Sequence, residues 1–158
     1  MVAPRVYQAM SQPLVGHLDP FFFQIVNEIR TLLGYVYSTR NQFNIAISGT
    51  GSAGMEAAVA NFIEPGEKFA LLTNGFFGDR IGDMARRHGA EVVRLSKPWG
   101  EPYDPQEARE FIRRESPRVV AFVQAETSTG MFNQAKPLCE AAHEVDALTI
   151  ADCVTSLG

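Results

Sequence analysis

With 158 residues, 46% hydrophobic and 20% charged, the chain lies in the ordinary globular range and is long enough to bury one core. A net charge of −4, with 14 dispersed basic residues and no basic run longer than a pair, argues against a nucleic-acid surface, and no apolar run approaches the roughly 20 residues of a membrane span. Cys139 and Cys153 match no metal or disulfide spacing, and the N-terminus lacks the charged-then-apolar build of a signal peptide, so a reducing cytoplasm is the expected compartment.

Residues 1–18 are punctuated by Pro and Gly without periodicity and read as an extended N-terminal arm. Asp19-Pro20 is a cap-plus-proline helix start, after which Phe22, Ile25 or Val26, Ile29, Leu32 or Leu33 and Val36 recur at helical spacing, an apolar stripe expected to join a core. The apolar run Phe43 to Ile47 predicts a strand, the glycine-rich stretch Ser48 to Gly54 a turn, and Met55 to Phe62 a helix. Short apolar strands follow at Phe69 to Leu72 and Glu91 to Leu95, separated by a helix that ends near His88 with Gly89 as its stop. Asp104-Pro105 repeats the helix start, and that helix ends before Pro117. Val119 to Val123 reads as a strand covered on both faces, emptying into a loop from Gln124 to Gly130; a helix from about Pro137 to Val145 leads to a last strand, Leu148 to Ala151.

Strand and helix alternate throughout, which predicts an α/β fold: three layers, α-β-α, around a mainly parallel sheet. In such sheets ligands collect at the carboxyl ends of the strands. Four polar or aromatic loops fall at that edge, Thr50 to Ser52, Asn74 to Phe77, Glu126 to Thr129 and Asp152 to Val154. They combine a phosphate cradle, an aromatic face, several hydroxyls and one carboxylate.

The glycine-rich turn suits an anion, because glycines let the backbone approach closely and the first N–H groups of the following helix point the same way. It equally suits a tight strand-to-helix turn that binds nothing. Gly49-Thr50-Gly51-Ser52-Ala53-Gly54 also satisfies the GxGxxG dinucleotide pattern. That reading lacks its acidic partner, since the next strand ends in Thr73-Asn74 with no carboxylate before Asp79, and the absence of a Lys after the glycines excludes a Walker A loop. Asp152, at the end of a buried strand, either caps a local turn or meets a cation, and a protonated pyridine nitrogen would be such a cation.

Five stretches in order, GHLDP (16–20), SGTGSAGMEAA (48–58), NGFFGDR (74–80), ETSTG (126–130) and DCVTSLG (152–158), give the chain its resemblance to the class V aminotransferases of fold type I. Within them it resembles the alanine-glyoxylate and serine-glyoxylate group. The resemblance implies pyridoxal 5′-phosphate as cofactor, with Thr50, Gly51 and Ser52 on its phosphate and Phe77, at a position that is Trp in some relatives, stacked on the ring. It further implies that Thr127 contacts the ring oxygen, that Asp152 pairs with the pyridine nitrogen as the catalytic carboxylate, and that Val154 packs beneath the ring. The implied activity transfers an amino group from alanine, serine or a related small donor such as ureidoglycine to glyoxylate, in a homodimer with a shared active site. On the same resemblance, residues 19–158 are an incomplete cofactor-binding large domain. The Schiff-base lysine would lie beyond Gly158, and the substrate-binding arginine in a C-terminal small domain. The rival reading is a non-catalytic module that holds phosphate or cofactor, or serves in assembly.

Overall fold

The computed structural model describes residues 1–157; Gly158, the last residue of the DCVTSLG stretch, lies outside them. The chain forms two compact units, residues 1–46 and a second beginning at Ile47.

In the first unit, helix α1 spans Pro4–Met10 and helix α2 spans Pro20–Val36. The first departs from the extended segment expected over residues 1–18. Pro4 at the first helical position already holds the φ a helix needs, and Arg5, Gln8, Ala9 and Met10 are good helix formers. Helix α2 starts where expected, with the Asp19 carboxylate accepting a hydrogen bond from the Phe21 N–H at 2.8 Å. Its apolar stripe, expected in a core, is nowhere buried: Phe22, Ile25, Val26 and Leu33 are half-buried, and Ile29, Leu32 and Val36 are exposed.

The strand expected over Phe43 to Ile47 does not form. A strand exists only with a neighbour to share its ladder, and no described residue pairs with this stretch, where Phe43 is 80% and Ile45 60% exposed.

The second unit opens with helix α3 (Gly51–Phe62), followed by β1 (Lys68–Thr73), α4 (Phe76–Arg87), β2 (Glu91–Ser96), α5 (Pro105–Glu115) and β3 (Val119–Val123). Strands β4 (Ala125–Glu126) and β5 (Met131–Phe132), helix α6 (Ala135–His143) and β6 (Leu148–Asp152) complete it. The pair β4–β5 is a short antiparallel hairpin whose first strand falls in the stretch Gln124 to Gly130 expected to be only a loop, and whose second lies just past it. Asp104 caps α5 by accepting from the N–H groups of Gln106 (2.7 Å) and Glu107 (3.3 Å), and Gly89, at φ +84°, turns the chain after α4.

The four long strands form one parallel sheet in the order β2-β1-β3-β6. Alternation along the strands builds two cores. Phe69, Leu71, Val119, Ala121 and Val123 meet Val59 of α3 and Ile81, Met84 and Ala85 of α4 on one face. Ala70, Leu72, Val120 and Phe122 meet Ala108, Phe111 and Ile112 of α5 and Leu138, Ala141 and Ala142 of α6 on the other. The three-layer α-β-α architecture expected from the alternation is therefore present. Central β1 and β3 are buried almost without interruption, as strands covered on both faces must be.

From β1 the chain moves outward to β2 and then returns to β3 on the other side. The connections leaving β1 and β3 thus diverge, opening a crevice at the carboxyl ends of these two strands, where ligands bind in sheets of this kind.

Candidate functional site

Each element delivers its residues to that crevice by local chemistry. Thr50 caps α3, its Oγ1 accepting from the Ala53 N–H at 3.3 Å. The N–H groups of Gly51 and Ser52, in the first turn, take no partner among the described residues. Only glycine fits just before them: Gly49 sits at φ +148°, and a Cβ there would stand 2.8 Å from the Ala53 Cβ. At the end of β6, Asp152 lies beside Val123 in the parallel register, and its Oδ1 accepts from the Val154 N–H at 3.0 Å. That Asx-type turn brings Val154 over α3, where a Cβ on Gly51 would meet the Val154 Cγ2 at 3.4 Å. Phe77, in the first turn of α4, packs edge-on against Phe76 with ring centroids 5.3 Å apart.

A cavity of about 200 Å3 is lined by Thr50, Gly51, Ser52, Met55, Phe77, Val123, Thr127, Asp152 and Val154. All seven residues singled out from the sequence therefore meet in one place. The surroundings are one helix N-terminus, one aromatic face, two threonine hydroxyls and one half-buried carboxylate. Two roomier hollows exist, about 560 Å3 beside Arg30, Tyr35 and Arg40 and about 370 Å3 beside Glu56, Asp79 and Arg87. Neither gathers strand ends, and both are bordered by charged side chains of the kind found on any wet surface.

The three lysines are engaged elsewhere. Lys68 pairs with Glu115 at 3.5 Å, Lys97 with Glu107, and Lys136, on α6, with Glu140 at 3.9 Å. None lines the cavity.

Beside the cavity lie residues to which the sequence reading gave no role. Glu126, 1% exposed, accepts hydrogen bonds from the N–H groups of Phe77, Gly78 and Ser128 and from the Ser128 hydroxyl. Buried Asn74 donates to the Glu101 carbonyl (2.8 Å) and to Asn133 Oδ1 (3.0 Å), while Asn133 donates to the Val123 carbonyl (2.9 Å). The Tyr103 hydroxyl donates to Asn74 Oδ1 at 3.1 Å. These bonds tie the exits of β1 and β3 together. The available signal is the placement of Glu126 three residues past an uninterrupted apolar strand, where a buried carboxylate must find donors.

Burial, and then the negative charges of Glu126 and Asp79, push the Tyr103 phenol above its ordinary 10.0. Its proton is held more tightly folded than unfolded, so its contribution to stability is complete below about pH 10 and is lost as the pH rises beyond. Tyr103→Phe is expected to lower stability by roughly 1 kcal/mol at neutral pH for the lost hydrogen bond. The variant should then lose less than the parent under alkaline conditions, so that urea-unfolding curves measured across the range converge; parallel curves would refute the assignment. Burial, chiefly, also raises the Cys139 and Cys153 thiols, so neither is a ready nucleophile at neutral pH.

With this geometry in hand, the comparisons with known proteins agree among themselves. The family described as "Aminotransferase class-V" matches residues 6–158. The chain is 40% identical over 157 residues to the (S)-ureidoglycine–glyoxylate transaminase of Bacillus subtilis, covering 99% of this chain and 38% of that protein. It is 38% identical over 157 residues to the alanine–glyoxylate aminotransferase of Rattus norvegicus, again covering 99% of this chain and 38% of that protein. Among solved structures, the alanine–glyoxylate aminotransferase of Nostoc sp. superposes with a TM-score of 0.94 at 46% identity, covering 99% of this chain and 41% of that one. The chain thus spans about two fifths of the length of the relatives it matches.

Proposed function

Because the chain belongs to the class V aminotransferase family, we propose that it is the N-terminal part of a pyridoxal-phosphate-dependent aminotransferase that passes an amino group from a small amino acid, alanine or serine, to glyoxylate. The observation that carries this reading is the convergence of four separate loops on one cavity with the donor set such a cofactor requires. Free N–H groups at the start of α3, with the Thr50 and Ser52 hydroxyls, suit a phosphate. The glycines at 49 and 51 keep side chains out of that cradle. A flat aromatic ring suits a planar heterocycle, and a carboxylate suits a protonated pyridine nitrogen.

Thr50, Gly51 and Ser52 would hold the phosphate, and Phe77 and Val154 would pack against the ring. Thr127 donates to the ring oxygen, and Asp152 keeps the pyridine nitrogen protonated. When bound, pyridoxal phosphate supplies an electron sink for the pair released as a substrate Cα proton leaves. The carboxylate of Asp152 deepens that sink by holding positive charge on the ring. The Schiff-base lysine and the residues that choose the donor belong to the downstream part. Ureidoglycine is the alternative donor, supported by the 40% identity to the B. subtilis transaminase.

A cytoplasmic homodimer completes the reading. The free thiols of Cys139 and Cys153 suit a reducing compartment, and the exposed Phe21, Phe23, Leu32 and Tyr35 of α2 suit an interface between copies. The test uses the complete protein. It should take up pyridoxal phosphate, be labelled on a lysine outside residues 1–158 by borohydride, and convert glyoxylate to glycine with one of the three donors. Phosphate-competed binding with no label and no turnover would instead establish the non-catalytic module.

A further inference from the structure

Helix α4 carries Phe77 in its first turn, yet the residue at its cap position is Gly75, which has no side chain to satisfy the helix's free N–H groups. The missing cap is supplied across the crevice. Glu126 Oε1 accepts from the Phe77 N–H (3.4 Å), Glu126 Oε2 accepts from the Gly78 N–H (3.1 Å), and the Ser128 hydroxyl accepts from the Phe76 N–H (3.0 Å). Ser128 in turn donates its own hydroxyl (2.6 Å) and N–H (3.1 Å) to Glu126 Oε1. The carboxylate is 1% exposed and is packed against Gly75, where a Cβ would come within 2.3 Å of the Glu126 Cγ.

Between Glu126 and Ser128 in sequence stands Thr127, which lines the cavity together with the glycine-rich turn. One buried side chain therefore fixes two walls of the cavity, the helix start that bears the aromatic ring and the loop that bears the hydroxyl. We infer that Glu126 is a positioning residue, which sets the separation and orientation of Phe77 and Thr127 and so determines how tightly the ring of a bound cofactor is clasped. The inference rests on the cofactor reading above but adds to it a residue that never touches the cofactor.

Gln is nearly isosteric with Glu, but its amide presents an NH2 to donors that need an acceptor, so at least one N–H at the start of α4 is left buried without a partner. Asp retains the charge but is one methylene short. The experiment measures pyridoxal phosphate affinity of the complete protein in its apo form, together with the near-ultraviolet and visible circular dichroism that the bound cofactor acquires, for the parent, Glu126→Gln and Glu126→Asp. Both variants are expected to bind roughly tenfold more weakly or worse, the loss typical when a group that orients a ligand's direct contacts is removed. The induced circular dichroism should change as well, because ring orientation changes. The merely structural alternative predicts a lower melting temperature with unchanged affinity and unchanged dichroism in the folded fraction, and that result would overturn the inference. If Glu126→Gln fails to fold, Ser128→Ala, which removes one bond to α4 and one to the carboxylate while keeping the backbone N–H bond to it, should show the same two changes at smaller size, and parental values there would also overturn it. A parent protein that binds no pyridoxal phosphate would instead overturn the cofactor reading itself.

Discussion

Asp152→Asn in the complete protein is expected to lower transamination about 10^2- to 10^3-fold or more, the range lost when a preorganised charge opposite developing transition-state charge is removed. Asn keeps the shape of the side chain and an oxygen to accept the Val154 N–H now bound at 3.0 Å, so the turn from Asp152 to Val154 should survive. What it lacks is the negative charge. Asp152 Oδ1 is engaged by that N–H, whereas Oδ2 takes no partner among the described residues, so one oxygen anchors the side chain and the other remains for a cation. Half-buried in a cavity beside an aromatic ring, such a charge acts in a medium less screening than water. Asp152→Ala, which removes the anchor too, should lose at least as much activity and also weaken cofactor uptake. Steady-state turnover and cofactor content of the two variants, measured side by side, separate charge from anchoring. Near-normal turnover of Asp152→Asn would sink the role assigned to this carboxylate.

Why this residue was visible in the sequence, while Glu126 was not, comes down to the range of the interactions involved. Asp152 ends a short apolar strand, the glycine-rich turn sits at the start of a helix, and Asp104-Pro105 is a cap; each is set by residues within four positions of itself. The uninterrupted Val119 to Val123 run likewise declares a strand covered on both faces. The bonds of Glu126 to the start of α4 span 48 and 49 residues, and the Asn74–Asn133 contact spans 59, so no local pattern encodes them. The Phe43 to Ile47 run departs for a related reason: its composition favours a strand, but pairing is a property of two segments, and no described residue pairs with it. Pro4–Met10 erred in the opposite direction. Proline among residues 1–18 suggests a break in the chain, but at the first helical position its fixed φ starts a helix instead.

The same alternation that builds the site also lets stability be separated from it. Phe122, fully buried, points from β3 into the core shared with α5 and α6, where Leu72, Phe111, Ile112 and Leu138 surround it. Its neighbour Val123 points the other way and lines the cavity. Phe122→Ala deletes a ring from a close-packed core and leaves a void that central strands, held by ladders on both sides, cannot collapse to fill. The expected cost is about 3–5 kcal/mol. That is a large part of the 5–15 kcal/mol by which whole domains are stable, so the melting temperature of the complete protein should fall and its soluble yield drop. The fraction that remains folded should nevertheless bind pyridoxal phosphate with close to parental affinity, because the lost contacts lie on the opposite face of the sheet from the glycine-rich turn. Chemical unfolding and cofactor titration of one preparation give both quantities. A destabilisation under about 1 kcal/mol would mean that the α5–α6 core is looser than its burial indicates. A loss of affinity equal to that of Glu126→Gln would mean that β3 transmits its packing to the site and does not insulate the two faces.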